Sequence, residues 1–276
     1  MVSVKKAQRL ILNSVGKGSA ARAETLDCVG RVLAEDIISP EDFPRFRQSA
    51  MDGYALRATD LQTPSLKVSG KIFAGGRLAA SLKAGECAYI TTGSPLPRNA
   101  GAVVPVEDVL VETGFVRIRE KAGKGANIRE AGDDIKKGKL ICRSGDPVTA
   151  QSVGIFGALG LARLKVFLPP SVGIITTGTE VAAIGAKRLG RNKIRNSNLW
   201  SLAALLKASG INPVFSKALG DKEGLVPEFL GKLEKFPEIV ILTGGVSVGG
   251  HDYVKEDLEK IGVRKLFWKV AQKPGK

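Results

Sequence analysis

The sequence predicts a multidomain α/β protein with a parallel-sheet α/β domain, an inserted all-β module and a helical linker domain. Three observations carry that expectation. Beyond Pro169-Pro170, apolar strand patterns alternate with helical ones, as βαβ units of a parallel sheet require. From Lys67 to about Arg129 only short strands and turns occur, and no long helical pattern interrupts them. Two proline pairs, Pro40 with Pro44 and Pro169-Pro170, hold the backbone extended and mark boundaries. The expected limits are 1–44 with 133–168 for the helical linker domain, 45–132 for the β module and 169–276 for the α/β domain.

The elements follow in order. Val4, Ala7, Leu10, Ile11 and Val15 share one face of a helix that Ser3 can cap and Gly16 and Gly18 end. A second short helix is expected from Asp27 through Val29, Val32 and Leu33. Ser49-Ala50-Met51-Asp52-Gly53-Tyr54-Ala55 sets small residues around one acid and suits a closely packed strand or turn. Val109–Glu112, Thr113-Gly114 and Phe115–Arg119 form a hairpin pattern. Ala88–Ile90 is a strand running into the hydroxyl- and proline-rich loop 91–97, which by pattern reads as a rigid turn. Thr149 can cap a helix through Val153, Ile155, Phe156 and Leu159, closed by Gly160.

In the last third, Val172–Thr176 is a strand. Asn198 is expected to cap a helix with Leu199, Leu202, Leu205 and Leu206 on its apolar side, closed by Gly210. A strand near Pro213–Phe215 precedes a helix burying Leu225, Val226, Phe229, Leu230 and Leu233. Ile239–Leu242 is a continuous apolar run, read as a strand buried on both faces. It feeds the glycine-rich loop Thr243–Asp252, and a helix follows from Tyr253.

Composition narrows the function classes. The chain has 276 residues, with 43% hydrophobic and 25% charged, an ordinary globular balance. No apolar run is long enough to span a bilayer and the start lacks a signal-peptide core, so a cytoplasmic protein without a membrane segment is expected. Cys28, Cys87 and Cys142 have no metal-ligand or redox spacing and read as buried hydrophobes. The net charge of +15 is compatible with anionic partners. Aromatics at 5%, with no helix-turn-helix or RNP-like pattern, argue against nucleic acid and for small anionic substrates. Local basic excess occurs at Arg117–Arg143 and Lys187–Arg195.

Open α/β sheets bind ligands at the carboxyl ends of their strands. Three such ends carry one acid each: Glu180, Asp221 and Asp252. Each acid has an ordinary explanation alone, as a loop charge, a turn residue or a helix cap. Together, near loops rich in glycine and lysine, they suit a Mg²⁺-assisted phosphate or pyrophosphate reaction. Thr177, Gly178, Ser197, Gly244, Gly245, Ser247 and Gly249 are the matching candidates for substrate contact, with Lys269 and Lys273 as anion contacts. The same glycines also serve tight packing in many α/β domains. The lone His251 reads as a loop residue, and no Gly-x-x-x-x-Gly-Lys-Ser/Thr loop is present.

Several stretches resemble one family in the family's own order. They are Gly30–Asp36, Ser49–Ala55, Thr92-Gly93-Ser94-Pro95-Leu96-Pro97, Asn127-Ile128-Arg129 with Gly132–Ile135, Thr176–Glu180, Asn196-Ser197-Asn198, Thr243–Tyr253 and Trp268–Lys276. Together they resemble the molybdopterin molybdenumtransferases, the MoeA type that includes the E domain of gephyrin. The resemblance implies an elongated molecule with a MogA-like molybdopterin-binding domain. It implies insertion of molybdate into adenylylated molybdopterin with release of AMP, assisted by Mg²⁺. Asp52, Thr92, Glu180, Asp221 and Asp252 would be catalytic, with Asp52, Glu180 and Asp252 at the metal. It further implies a homodimer whose site is shared between subunits, with the molybdopterin adenylyltransferase as a candidate partner. Family members continue past Lys-Pro-Gly-Lys into a small β domain that is expected to be missing here. The alternative reading is therefore a non-catalytic molybdopterin-binding or scaffold remnant.

Overall fold

The computed structural model describes residues 1–76, 81–245 and 253–273. In chain order its main elements are α1 (Val4–Ser14), β1 (Ala20–Glu24), β2 (Gly53–Arg57), β3 (Ser65–Ile72), β4 (Glu86–Ile90), β5 (Ala100–Pro105), β6 (Val109–Glu112) and β7 (Phe115–Ile118). Then come α2 (Ala150–Ala158), β8 (Arg163–Phe167), β9 (Val172–Thr177), α3 (Ser197–Ala208), β10 (Phe215–Leu219), α4 (Leu225–Gly231), β11 (Ile239–Thr243) and α5 (Tyr253–Lys260). The chain divides into two compact units. The first comprises Met1–Ala34, Pro147–Ala150 and Arg163–Lys276; the second comprises Glu35–Asp146 and Gln151–Ala162.

The second unit is built on a six-stranded sheet of order β5-β2-β4-β3-β7-β6. All its pairings are antiparallel except β3 with β4. Alternation along β2 sends Ala55 to one face and Tyr54 and Leu56 to the other. Each face carries its own core: Ala55, Ile72, Ala88, Ile90 and Val103 on one side, Tyr54, Leu56, Leu66, Cys87 and Val104 on the other. Burial on both sides explains why β2 and β5 read as unbroken small and apolar runs. The expected hairpin forms, with Glu112 opposite Phe115 and Gly114 in the left-handed region at φ 79°.

In the first unit, Ser3 caps α1, its hydroxyl accepting from the Lys6 N–H at 3.2 Å. Of the expected apolar face only Ala7 is buried; Val4, Ile11 and Val15 are exposed. β1 pairs antiparallel with β8. The helix expected over Asp27–Leu33 does not form. A 3-10 turn spans Thr25–Cys28, Gly30 turns the chain at φ 79°, and Val32 and Leu33 lie extended against Pro147 and Val166. Tertiary pairing outcompetes the helical spacing: Gly30 N–H bonds the Val148 carbonyl at 2.9 Å and Phe167 N–H the Val32 carbonyl at 2.8 Å.

The α/β part of this unit is a parallel three-stranded sheet of order β10-β9-β11. β9 lies between its neighbours and all six of its residues are buried. Ile175 packs with Val226 and Leu230 of α4 and Val254 of α5. The apolar run of β11 was expected to be covered on both faces. Instead β11 pairs on one side only among the described residues, and it is half-buried, with Ile239 exposed. Hydrophobic composition reports how apolar a strand is, and not its place in the sheet order. The strand expected near Pro213–Phe215 lies further on, at β10; Val214 precedes it, its N–H bonding the Val172 carbonyl at 2.8 Å. The cap of α3 is Asn196, not Asn198, because the Asn196 carboxamide oxygen accepts the Leu199 N–H at 3.0 Å. On α3, Leu205 is exposed, against expectation. No helix among the described residues is long and apolar enough to cross a membrane.

Candidate active site

In the second unit the structure brings Asp52 and Thr92 together. Asp52 stands at the turn entering β2, and Thr92 just beyond the end of β4. One Asp52 carboxylate oxygen accepts both the Thr92 backbone N–H at 2.7 Å and the Thr92 hydroxyl at 2.8 Å. Those two donors, the backbone one first, hold the Asp52 carboxyl below its ordinary value, so the exposed acid is kept ionised.

Local packing explains the geometry. The loop 91–97 is stitched to the segment before Asp52: Gly93 N–H bonds the Ser49 carbonyl at 2.9 Å, Ser49 N–H the Ser94 carbonyl at 3.1 Å, and Leu96 N–H the Arg47 carbonyl at 3.1 Å. The buried Ser94 hydroxyl lies 2.9 Å from that of Thr91. Next to Asp52, a Cβ on Gly53 would meet the Val104 carbonyl oxygen at 2.1 Å, so only glycine lets β2 and β5 approach there. Arg47 completes the frame, its Nε donating to both Glu130 oxygens at 3.0 and 2.8 Å. Arg47 was not singled out from sequence, because its partner Glu130 is 83 residues away.

In the first unit, the carboxyl ends of the three parallel strands form a rim. Thr177, Gly178 and Glu180 follow from β9, Asp221 from β10, and Gly244 and Gly245 from β11; Ser197 opens α3 beside them. Gly244, at φ 88°, lies so close that a Cβ there would meet the Thr177 carbonyl oxygen at 2.2 Å. A Cβ on Gly245 would meet the Thr177 hydroxyl at 2.9 Å. That hydroxyl is buried and has no hydrogen-bond partner among the described residues, an unusual state for a dry polar atom.

The rim is braced from below. Asn196, buried like Thr176, donates from Nδ2 to the Thr176 hydroxyl at 2.7 Å while its oxygen caps α3. Asn198, freed from the capping role, donates to the Thr243 hydroxyl at 3.2 Å. Asp221 accepts the Thr179 N–H at 3.3 Å, and the Lys193 amine donates to the Thr179 carbonyl. Asn196 was legible only as part of a motif; capping geometry, with the acceptor three residues before Leu199, is the signal that identifies it.

Ser247, Gly249 and Asp252 lie outside the described residues. Among the described residues no three His, Cys, Asp or Glu side chains are gathered to hold a metal. Lys269 and Lys273 are exposed in the irregular segment after α5, which a bridge between Val2 and Val270 holds. Neither side chain makes a hydrogen bond or ion pair with the rim among the described residues.

Two family models together match most of the chain. Residues 2–160 match the model of the MoeA N-terminal region (domain I and II), and residues 173–276 that of a probable molybdopterin binding domain. A molybdopterin molybdenumtransferase of Haemophilus influenzae is 36% identical over 252 residues, which are 91% of this chain and 62% of that protein. Molybdopterin molybdenumtransferase 2 of Mycobacterium tuberculosis is 34% identical over 286 residues, covering 100% of this chain and 70% of the relative. The crystal structure of a molybdopterin biosynthesis MoeA protein from Pyrococcus horikoshii superposes with a TM-score of 0.81 at 31% identity, over 88% of this chain and 66% of that one. The chain thus spans about three fifths of the length of the Haemophilus relative.

Proposed function

The chain belongs to the molybdopterin molybdenumtransferase family of MoeA type, and on that premise we propose that it inserts molybdate into adenylylated molybdopterin and releases AMP. The observation that carries the proposal is the rim of the first unit. Gly244 and Gly245 bring backbone against Thr177 where no side chain fits, and the Thr177 hydroxyl waits there buried and unpartnered. Backbone at such close quarters, beside the N-terminus of α3, suits a phosphate-bearing ligand.

The rim's donors are carboxylates and hydroxyls from Glu180, Asp221, Thr177 and Thr243, an oxygen set that fits Mg²⁺ in kind. In this reading Glu180, with Asp252 and Asp52, would hold the ion, which when bound neutralises charge on the phosphate oxygens. Thr177, Gly178, Ser197, Gly244, Gly245, Ser247 and Gly249 bind and orient the pyrophosphate. Asp221 holds the Thr179 backbone, and Lys269 and Lys273 offset negative charge. Asp52, kept ionised by Thr92, enters from the second unit of a partner copy in a homodimer.

The test is AMP release from adenylylated molybdopterin with and without molybdate, together with calorimetric binding. Molybdate-dependent release that disappears in Asp52→Ala and Glu180→Ala supports the reading. Binding without release would replace it with that of a molybdopterin binder.

A further inference from the structure

One basic cluster, the excess at Lys187–Arg195, enters the site as described only through Lys193. Between Glu180 and Asp221 the sequence contains no acidic residue, while Lys187, Arg188, Arg191, Lys193, Arg195, Lys207 and Lys217 all fall there. The two rim acids therefore bracket a stretch of purely positive charge.

The loop carrying five of those cations is fastened to the rim at its stem. Val181-Ala182 and Ile194-Arg195 pair as a short parallel ribbon. Ile194 N–H bonds the Glu180 carbonyl at 2.9 Å, and Asn196 N–H the Ala182 carbonyl at 3.0 Å. Two cations are used inside the loop. The Lys193 amine bonds the Thr179 carbonyl, and the Arg195 guanidinium reaches the carbonyls of Ile184 at 3.3 Å and Ala186 at 3.4 Å. The remaining three, Lys187, Arg188 and Arg191, are exposed and make no hydrogen bond or ion pair among the described residues.

This division of labour has an electrostatic consequence. Glu180 and Asp221 repel any phosphate that approaches the rim. Cations on a loop whose stem is tied to that rim oppose this repulsion wherever they come within about a Debye length of it, ~10 Å at 0.1 M salt. We propose that Lys187, Arg188 and Arg191 form a capture arm that draws the phosphate-bearing end of a nucleotide-linked anion to the carboxyl end of β9. The inference rests on the phosphate-cradle reading of the rim, and it adds residues that neither the motifs nor the metal set include.

The experiment measures ADP binding to the full chain by calorimetry and stopped flow at low and high salt, with uncharged adenosine as the control. The variant is Lys187→Gln/Arg188→Gln/Arg191→Gln. Because these side chains have no partners among the described residues, its tryptophan-monitored unfolding midpoint should match the wild type. At about 20 mM salt the variant should bind ADP about tenfold more weakly, mainly through a slower on-rate; at about 0.5 M the difference should shrink below about twofold. Adenosine binding should not change. An identical salt response in variant and wild type overturns the capture arm alone. A loss of equal size at both salt levels overturns it as well, since that marks a short-range contact. Wild-type chain that fails to bind ADP at all overturns the phosphate-cradle reading with it. Preference for a polyglutamate peptide over ADP would assign the loop to a protein partner and refute the proposal.

Discussion

Asn196→Ala is the sharpest test of how the rim is held. The side chain joins two elements: its oxygen caps α3 at the Leu199 N–H, 3.0 Å away, and its Nδ2 donates to the Thr176 hydroxyl at 2.7 Å. Both residues are nearly inaccessible, Asn196 at 6% and Thr176 at 3% exposure, so water does not replace the lost partner. Removing an asparagine cap costs about 1 kcal/mol. Leaving the Thr176 hydroxyl stranded costs roughly another 1–3 kcal/mol. The backbone bond from Asn196 N–H to Ala182 survives, so the expected total is about 2–4 kcal/mol. Both tryptophans, Trp200 in α3 and Trp268, lie in the first unit, so urea unfolding followed by their fluorescence reads this unit. With a slope of about 2 kcal/mol per molar urea, the midpoint should fall by roughly 1–2 M. Thr176→Val in the Asn196→Ala background should cost less than it does in wild type, with a coupling of about 0.5–3 kcal/mol. A loss below about 0.5 kcal/mol, or strict additivity, would refute the brace.

Other outcomes follow from the same geometry. Gly53→Ala sets a Cβ 2.1 Å from the Val104 carbonyl oxygen, a backbone atom that cannot swing aside. It should destabilise the second unit by about 1–3 kcal/mol or more, read as faster hydrogen exchange along β2 and β5. Thr92→Val removes one donor from Asp52, so the carboxyl pKa should rise toward its ordinary value in an NMR titration. Because the folded value is depressed, the contribution of this contact is present above the ordinary carboxylate pKa and is lost as pH falls through the folded one. An Asp52 titration unchanged by the substitution would show that the hydroxyl does not matter. Cys87 is fully buried and its thiol is pushed up to about 12 by desolvation, whereas Cys142 is only half-buried. Cys142 should be labelled first by a thiol reagent at pH 8, and Cys87 only after unfolding. Finally, mixing Asp52→Ala with Glu180→Ala chains should restore turnover if two copies share each site; a mixture as dead as its components rejects the sharing.

Much of the architecture was legible because it rests on local pattern. Alternation over Phe115–Ile118, the glycine at position 114 and the cap at Ser3 act within a few residues, and they gave the hairpin and α1 where expected. Asp27–Leu33 misled because its helical spacing is real but weak. The chain gains more by pairing Val32 and Leu33 with residues over a hundred positions away. The same limit applies to the candidate site. Position at the strand ends singled out Glu180 and Asp221 as candidates, whereas Asp52 and Thr92 entered only through the family resemblance, the loop 91–97 reading by pattern as a rigid turn.

Which of these residues meet was a matter for tertiary structure alone. The contact between Asp52 and Thr92 spans 40 residues and exists because β2 and β4 pair side by side. The apolar run of Ile239–Thr243 told how hydrophobic β11 is; only the sheet order left it with one neighbouring strand among the described residues and put Gly244 against Thr177. Sequence specifies composition and local geometry because those energies act between near neighbours. Register, burial and the orphaned Thr177 hydroxyl come from contacts between remote segments, which exist only once the chain has closed on itself.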